Sequence, residues 1–294
     1  MAVIENTTTT AQITTAVKEI DFVSRFNRNW DTLREIMGIM RPVRKTPGTK
    51  LVSSKASVTL KDGAVAEGDE VPLSQAKVDP VAYKDITLKK YRKAVTAESV
   101  AKYGAAVASQ KTDDAFIMEL QNVTLTSFYT FLQTGTLTGN ETTFQMAVAM
   151  ASSLVKDKFK KLHLDFSNIV VFVNTLDVGR YLGAASISVQ TANGVEYVKD
   201  FMGIGTMIIS SDIPEGKVIA CPADNIVMYY IDPADGDFAE LGLEYNTGVG
   251  ETRLIGVHKE GNYGRVMGET HAVMGVELFA EYLDGIAVIT ITAE

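Results

Sequence analysis

Residues that could support catalysis or metal binding are few and widely spaced in this sequence. The three histidines, His163, His258 and His271, lie far apart along the chain, and none has the spacing of a metal-ligand motif. The single cysteine, Cys221, follows an apolar segment and is expected to be a buried thiol, not a nucleophile. The zincin, nucleophile-elbow and phosphate-loop patterns do not occur. We therefore predict no catalytic, cofactor-binding or metal-binding residues and no cofactor.

Two glycine pairs and one acidic cluster have structural explanations. Gly203 and Gly205 have the spacing of the first two glycines of a dinucleotide-binding loop, and so do Gly248 and Gly250. Neither pair is followed by the third glycine of that motif. Both pairs are better explained as loops between strands. The acidic residues of segment 67–70 lie in a polar, glycine-containing stretch where nothing would raise a carboxyl pKa, so a solvated loop is expected.

Composition indicates a folded, soluble chain. It has 294 residues, of which 46% are hydrophobic and 22% charged, and this excludes a disordered, collagenous or coiled-coil protein. One cysteine cannot build a disulfide framework. Apolar runs such as 201–209 are shorter than the roughly 20 residues that span a bilayer, and residues 1–5 do not resemble a secretory signal.

Charge is distributed unevenly along the chain, whose formal net charge is −8. Residues 1–111 carry 18 Lys and Arg against 12 Asp and Glu, whereas residues 112–294 carry 10 against 24. Such polarity would let the basic part of one subunit attract the acidic part of another. Ordinary surface variation is the alternative explanation. The acidic balance argues against a dedicated nucleic-acid-binding protein.

The first part of the chain lacks the pattern of a compact core. Apolar residues at threes and fours predict two short helices within 16–39, and the prolines of 41–48 are expected to break the chain there. This segment either packs on its own domain or forms an arm on a neighbouring subunit, and the break favours the arm. Asp62-Gly63 predicts a two-residue hairpin turn between polar strands. Such a hairpin is marginal alone and needs a surface, for which another subunit is a candidate.

The remainder predicts helices followed by an α/β region. Thr96 is expected to cap a helix that breaks near Gly104. A long helix over 112–133 should place Ile117, Leu120, Phe128 and Phe131 on one face, with Met118, Leu125 and Leu132 beside it. Residues 136–140 are predicted as a turn. Further helices are predicted at 144–162 and 175–182, and strands at 82–95, 168–174, 195–201, 207–210, 217–221, 226–231, 251–257, 265–281 and 286–292.

This order of elements resembles the major capsid proteins of tailed bacteriophages, which have the Hong Kong 97 fold. The resemblance covers nearly the whole chain and rests on the order of its parts. The apolar pair Phe131-Leu132 followed by Gln-Thr-Gly-Thr136 resembles the end of the family's spine helix, and Ile169-Val-Val-Phe-Val-Asn-Thr-Leu-Asp177 resembles its axial strand and helix. Segment 261–283 resembles the long strand of the peripheral domain, and 286–292 the closing strand.

The resemblance implies an α+β fold with four parts. These are an N-terminal arm at 1–47, an extended hairpin loop (E-loop) at 48–85, a peripheral domain with the spine helix at 86–140 and 256–283, and an axial α/β domain at 141–255 and 284–294. It also implies a structural subunit, not an enzyme, that assembles into hexamers and pentamers of an icosahedral shell around double-stranded DNA.

The resemblance further implies partners and a location. Other copies of the chain would be the main partner, with a separate scaffolding protein, a portal and a decoration protein as candidates, non-specific contact with packaged DNA, and no membrane. The protein would belong to the virion, assembled in the host cytoplasm. Two alternatives stay open: an encapsulin-like nanocompartment shell, and an α/β enzyme whose catalytic core is 141–255.

Overall fold

The chain folds into two mixed β-sheets, a separate hairpin and several helices. The computed structural model describes residues 25–26, 28–31, 41–46, 49, 52–68, 70–82, 86–166, 168–183, 189–192, 195–199, 201–247 and 253–292. The helices are α1 (Ala97–Tyr103), α2 (Lys111–Leu132), α3 (Phe144–Lys161), α4 (Thr175–Leu182) and α5 (Gly236–Glu240), and a π-helical segment, Ala106–Gln110, precedes α2. The strands are β1 (Arg41–Lys45), β2 (Val52–Thr59), β3 (Gln75–Ala82), β4 (Lys89–Thr96), β5 (Leu137–Glu141), β6 (Ile169–Val173), β7 (Gln190–Ala192), β8 (Val195–Val198), β9 (Gly205–Ile209), β10 (Lys217–Pro222), β11 (Ile226–Ile231), β12 (Ile255–Asn262), β13 (Met267–Ala280) and β14 (Ala287–Ile291).

The five-stranded sheet is organised around β13, the longest of these strands. Residues 267–274 of β13 pair antiparallel with both β12 and β4. Residues 275–280 pair antiparallel with β11, which in turn pairs in parallel with β1. One long strand therefore joins segments from the beginning, middle and end of the chain.

The seven-stranded sheet has the order β5-β14-β10-β6-β9-β8-β7. The β5–β14 and β6–β9 pairs are parallel, and the others are antiparallel. Its central strand, β6, is apolar at every position because both faces of the sheet are covered. Ile169, Val171 and Val173 face a core shared with α3, whereas Val170 and Phe172 face a core shared with α2.

Helix α2 joins the two sheets. The ring of Phe128 meets that of Phe172 in β6 edge to face, with centroids 5.5 Å apart, and Thr124 Oγ1 lies 3.4 Å from Sδ of Met274 in β13. The predicted apolar face is confirmed, since Ile117, Leu120 and Phe128 are buried. Met118 was expected beside that face, but it is 61% exposed, so this expectation is wrong.

The predicted helix signals before α2 are confirmed. Thr96 caps α1 by accepting a hydrogen bond from the Ser99 amide. Gly104 ends that helix with φ of 79°, a left-handed conformation that glycine adopts without a steric penalty.

The hairpin is present, but its predicted turn is wrong. Strands β2 and β3 pair antiparallel with Thr59 opposite Gln75, so the chain reverses over residues 60–74 and not within Asp62-Gly63. Asp62 Oδ1 instead accepts a hydrogen bond from the Ala64 amide, which makes a local turn inside that connection. The strand predicted at 82–95 is two strands, because β3 ends at Ala82 and β4 begins at Lys89.

Three further elements differ from the predictions. The proline-containing break contains strand β1, where Pro42 is tolerated because β1 is an edge strand. The turn predicted at 136–140 is β5, which pairs with β14. The strand predicted at 251–257 lies at Ile255–Asn262. In each case pairing with a distant strand stabilises extended backbone that the local pattern does not encode.

The described part of the predicted arm packs on its own subunit. Residues 25–26 and 28–31 are helical, and Phe26 and Trp30 are 0% and 1% exposed within the core that α2 shares with both sheets. Arg25 pairs with Asp114 in α2. The preference for an arm on a neighbour is therefore wrong for these residues, because their apolar side chains bury within the same chain. Residues 1–24 lie outside the described residues.

Two strands cross the predicted boundaries between the peripheral and axial parts. Strand β11 falls within 141–255 but pairs with β13 of the five-stranded sheet. Strand β5 falls mostly within 86–140 but pairs with β14 of the seven-stranded sheet. The division itself stays a prediction.

Candidate assembly surfaces

The β2–β3 hairpin exposes apolar side chains that the rest of the described subunit does not cover. Leu73 is 93% exposed. Other large apolar side chains on the hairpin and its connection are exposed too: Val58, Leu60, Val65, Val71 and Val78. Fully burying one such side chain contributes about 1.5–3 kcal/mol. A cluster of apolar side chains on a projecting element is typical of an interaction surface.

The acidic segment within this connection is solvent-facing where it is described. Glu67 and Glu70 are exposed, as expected for a solvated loop, and Asp69 lies outside the described residues. In the sequence, these carboxylates lie between Val65 and Val71, so the connection carries both exposed apolar and exposed charged groups.

The charge polarity of the sequence is partly satisfied inside one subunit. Basic residues from the first part of the chain pair with carboxylates from the second: Arg41 with Glu281 at 3.0 Å, and Arg92 with Glu269 at 2.6 Å. Arg25 and Asp114 form another such pair. The expectation that this polarity acts between subunits is therefore wrong for these pairs, because the fold brings the two halves together.

One buried carboxylate anchors α2 to the five-stranded sheet. Asp113 lies in the first turn of the helix and is buried. Its two oxygens accept hydrogen bonds from Lys93 Nζ of β4 at 2.5 Å and from Lys259 Nζ of β12 at 3.2 Å. A carboxylate at a helix N-terminus also interacts favourably with the helix dipole. The cluster fixes the start of α2 against two strands.

A second buried carboxylate holds the edge strand β1. Asp232, just after β11, is 2% exposed at its side chain, and its Oδ2 lies 3.6 Å from Nη1 of Arg44 and 3.5 Å from Nη1 of Arg253. Arg44 also reaches Asp235 at 3.3 Å. These contacts tie β1 to the loop that follows β11.

Two of the three histidines are brought together by strand pairing. His258 in β12 and His271 in β13 are directly opposite each other, and Arg92 in β4 is opposite His271 on the other side. Glu260 and Glu269 form the neighbouring pair on the same face. Sequence spacing did not find this cluster, because only the strand register places these residues together. His163 lies apart, exposed at the end of α3.

The remaining candidate nucleophile is buried, as expected. Cys221 has no exposed surface, and burial raises the pKa of its thiol. Burial also raises the pKa of the Tyr129 hydroxyl to about 12, and a contact with the Ser210 hydroxyl partly offsets this effect. Neither group is poised for proton transfer at neutral pH.

A cavity of about 590 Å³ opens beside the ends of β12 and β13. Its charged lining residues are Lys93, Lys259, Glu260 and Glu269. Lys93 and Lys259 pair with Asp113, and Glu269 pairs with Arg92. In the described part of the chain, no helix is both long and apolar enough to cross a membrane.

Several solved structures share this fold. The chain matches the capsid asymmetric unit of cyanophage A-1(L) with 11% identity and a TM-score of 0.57, covering 90% of this chain and 93% of that one. It matches the capsid structure of cyanophage P-SCSP1u with 10% identity and a TM-score of 0.55, covering 88% of each chain. It also matches an encapsulin complex from Synechococcus elongatus with 10% identity and a TM-score of 0.53, covering 87% and 86%.

No protein-family model matches the chain, and no curated protein matches its sequence. The structural matches define the fold class, which is the α+β Hong Kong 97-type fold that the order of elements predicted.

Proposed function

We propose that this protein is a major capsid protein, a structural subunit that self-assembles into hexamers and pentamers of an icosahedral shell enclosing double-stranded DNA. The observation that carries the proposal is a well-packed subunit of this fold whose hairpin exposes apolar side chains, Leu73 most of all. In a shell, a neighbouring subunit covers that surface.

In this proposal the hairpin loop at 48–85 acts as a clamp between subunits. Segment 1–47 is the N-terminal arm, of which residues 25–26 and 28–31 pack on their own subunit. Segments 86–140 and 256–283 form a peripheral part, and 141–255 and 284–294 an axial part. The protein is a component of the virion assembled in the host cytoplasm. A scaffolding protein, a portal and a decoration protein are its proposed partners besides other copies of the chain.

Contact with packaged DNA is proposed to be weak and independent of sequence. The net charge is −8, and Arg25, Arg41, Arg44, Arg92 and Lys93 face carboxylates of their own subunit. These carboxylate partners offset part of the positive charge that a phosphate-binding surface would need.

A nanocompartment shell is the second candidate function, because the encapsulin structure matches with similar coverage. The contents of particles purified from cells distinguish the two candidate functions. Double-stranded DNA protected from nuclease inside the particles supports the virus capsid, and enclosed protein cargo without DNA supports the compartment.

An enzyme is not supported by the site chemistry. The buried thiol of Cys221 and the ion-paired carboxylates are structural in character. A small discrete oligomer that never forms rings or shells would favour the enzyme alternative.

Assembly of a shortened hairpin tests the proposal. Replacing residues 60–74 by Asn-Gly joins Thr59 to Gln75, which are already opposite each other, so the strands can pair through a two-residue turn. The full chain should form rings or closed shells in electron micrographs, and the shortened chain should fold but not close. Circular dichroism checks the fold, and closed shells of normal size from the shortened chain would refute the clamp.

A further inference from the structure

Three side chains on the β12–β13 pair converge as metal ligands would. Nε2 of His271 lies 3.2 Å from Oε1 of Glu260 and 3.4 Å from Oε2 of Glu269. The three atoms all lie within 4.8 Å of one another. Ligand atoms that surround zinc tetrahedrally at about 2.0–2.1 Å are separated by about 3.3–3.4 Å. The two measured separations therefore match the edges of a zinc coordination tetrahedron.

The cluster concentrates negative charge that a bound cation would neutralise. Glu260 and Glu269 are directly opposite across the strand pair, an arrangement in which like charges repel. Glu269 is only 3% exposed, so solvent screens its charge poorly. Nε2 of His271 is shielded from solvent, and the two carboxylates are its neighbouring polar groups. When unprotonated, this nitrogen offers its lone pair to a metal ion between the two carboxylates.

Neighbouring groups hold the buried carboxylate in place. Arg92 Nη2 lies 2.6 Å from Oε2 of Glu269, and Asn262 Nδ2 donates to its Oε1 at 3.1 Å. Such outer contacts orient a ligating carboxylate. Arg92 also offsets one of the two carboxylate charges, so a bound divalent ion would leave the cluster with a net charge near +1 instead of −1.

We propose that Glu260, Glu269 and His271 form a binding site for one divalent transition-metal ion, with zinc as the best fit. The mixture of imidazole and carboxylate suits zinc, whereas calcium and magnesium require six or more oxygen ligands. Glu260 is 55% exposed at its side chain, which leaves a side of the site open for water or a ligand from another molecule. The ion would join β12 to β13 near their ends.

Zinc binding to the full chain tests this site, and the measurement does not depend on shell formation. The protein is treated with EDTA, freed of chelator and titrated with Zn²⁺ by calorimetry. Co²⁺ absorption then reports whether the geometry is tetrahedral. Sedimentation at the same concentrations distinguishes binding within a chain from metal-induced association. We expect one ion per chain.

Two ligand variants and one control complete the test. Glu260→Gln and His271→Ala should each weaken binding by more than about 100-fold, because loss of even an outer-shell partner costs about 10–100-fold. His163→Ala removes an exposed histidine outside the cluster and should bind as the parent does. Absence of saturable binding in the parent, or equal binding by all variants, would overturn the proposal and leave His271 as an ion-pair partner of the two carboxylates.

Discussion

Ionisable residues in this protein find their partners across the full length of the sequence. Asp113, in the first turn of α2, accepts hydrogen bonds from Lys93 and Lys259. All three side chains are mostly buried. Removing one member of a buried charge cluster is costly because the others keep their desolvation penalty without its attraction.

Asp113→Ala is therefore expected to destabilise the subunit by about 3 kcal/mol, the lower end for a buried pair because the lysines keep some contact with water. Urea unfolding of unassembled subunits at pH 7 measures the loss. Asp114→Ala is the matched control, since this neighbour is half-exposed and its pair with Arg25 should be worth at most about 1 kcal/mol. Equal losses for the two variants would contradict the anchoring role.

Tyr129 is expected to make the folded subunit less stable at alkaline pH. Burial raises its pKa from 10.0 to about 12, so the unfolded chain releases this proton first. Stability is therefore fully present below pH 10 and falls as the pH rises from 10 to about 12, by on the order of 2–3 kcal/mol. The measurement is the free energy of unfolding at several alkaline pH values.

In the Tyr129→Phe variant, the free energy of unfolding should fall less between pH 10 and 12, and the difference from the parent should equal the contribution of this tyrosine. At neutral pH the variant should be weaker by about 0.5–1.5 kcal/mol, because the contact with Ser210 is lost. Tyr103→Phe changes an exposed tyrosine and should follow the parent curve. Identical alkaline slopes for the parent and Tyr129→Phe would refute the assignment.

At the scale of secondary-structure elements, strand β9 begins where two backbones approach closely. Gly205 has φ of 141°, and a Cβ there would lie 2.2 Å from the carbonyl oxygen of Ile169 in β6. Gly205→Ala should therefore destabilise the seven-stranded sheet by about 1–3 kcal/mol. Thermal unfolding measures this effect.

Gly179→Ala is the control for this strand. Gly179 lies in α4, where an added Cβ meets nothing within 4 Å. Alanine is favoured over glycine in a helix, so this variant should be unchanged or more stable by up to about 1 kcal/mol. A Gly205→Ala protein as stable as Gly179→Ala would show that the β6–β9 contact is not tight.

At the scale of the whole molecule, we expect folding and the proposed assembly to depend on different residues. The core lies between α2, α3 and the two sheets, whereas the exposed apolar side chains of the hairpin contribute little to it. Leu73→Asp should therefore leave the stability of the unassembled subunit within about 0.5 kcal/mol of the parent. Assembly should need a much higher protein concentration, because a charge would be buried at the interface.

Light scattering against protein concentration measures this assembly threshold. Leu73→Met keeps an apolar side chain of similar volume and should assemble like the parent. A normal threshold for Leu73→Asp would contradict the proposed burial of this side chain between subunits.

The sequence alone determined the elements whose causes are local. The cap at Thr96, the break at Gly104, the apolar face of α2 and the apolar run of β6 each arise from residues within a few positions of one another. Their order along the chain was sufficient to predict the fold class.

Tertiary structure decided the features that depend on distant partners. Strand β1 forms because it pairs with β11, and β5 forms because it pairs with β14. Core packing likewise determines the burial of Trp30. Strand register determines that Arg92 pairs with Glu269 and that His258 lies opposite His271. Periodicity reports which face of an element is apolar, but contact free energy between distant segments determines which elements pair.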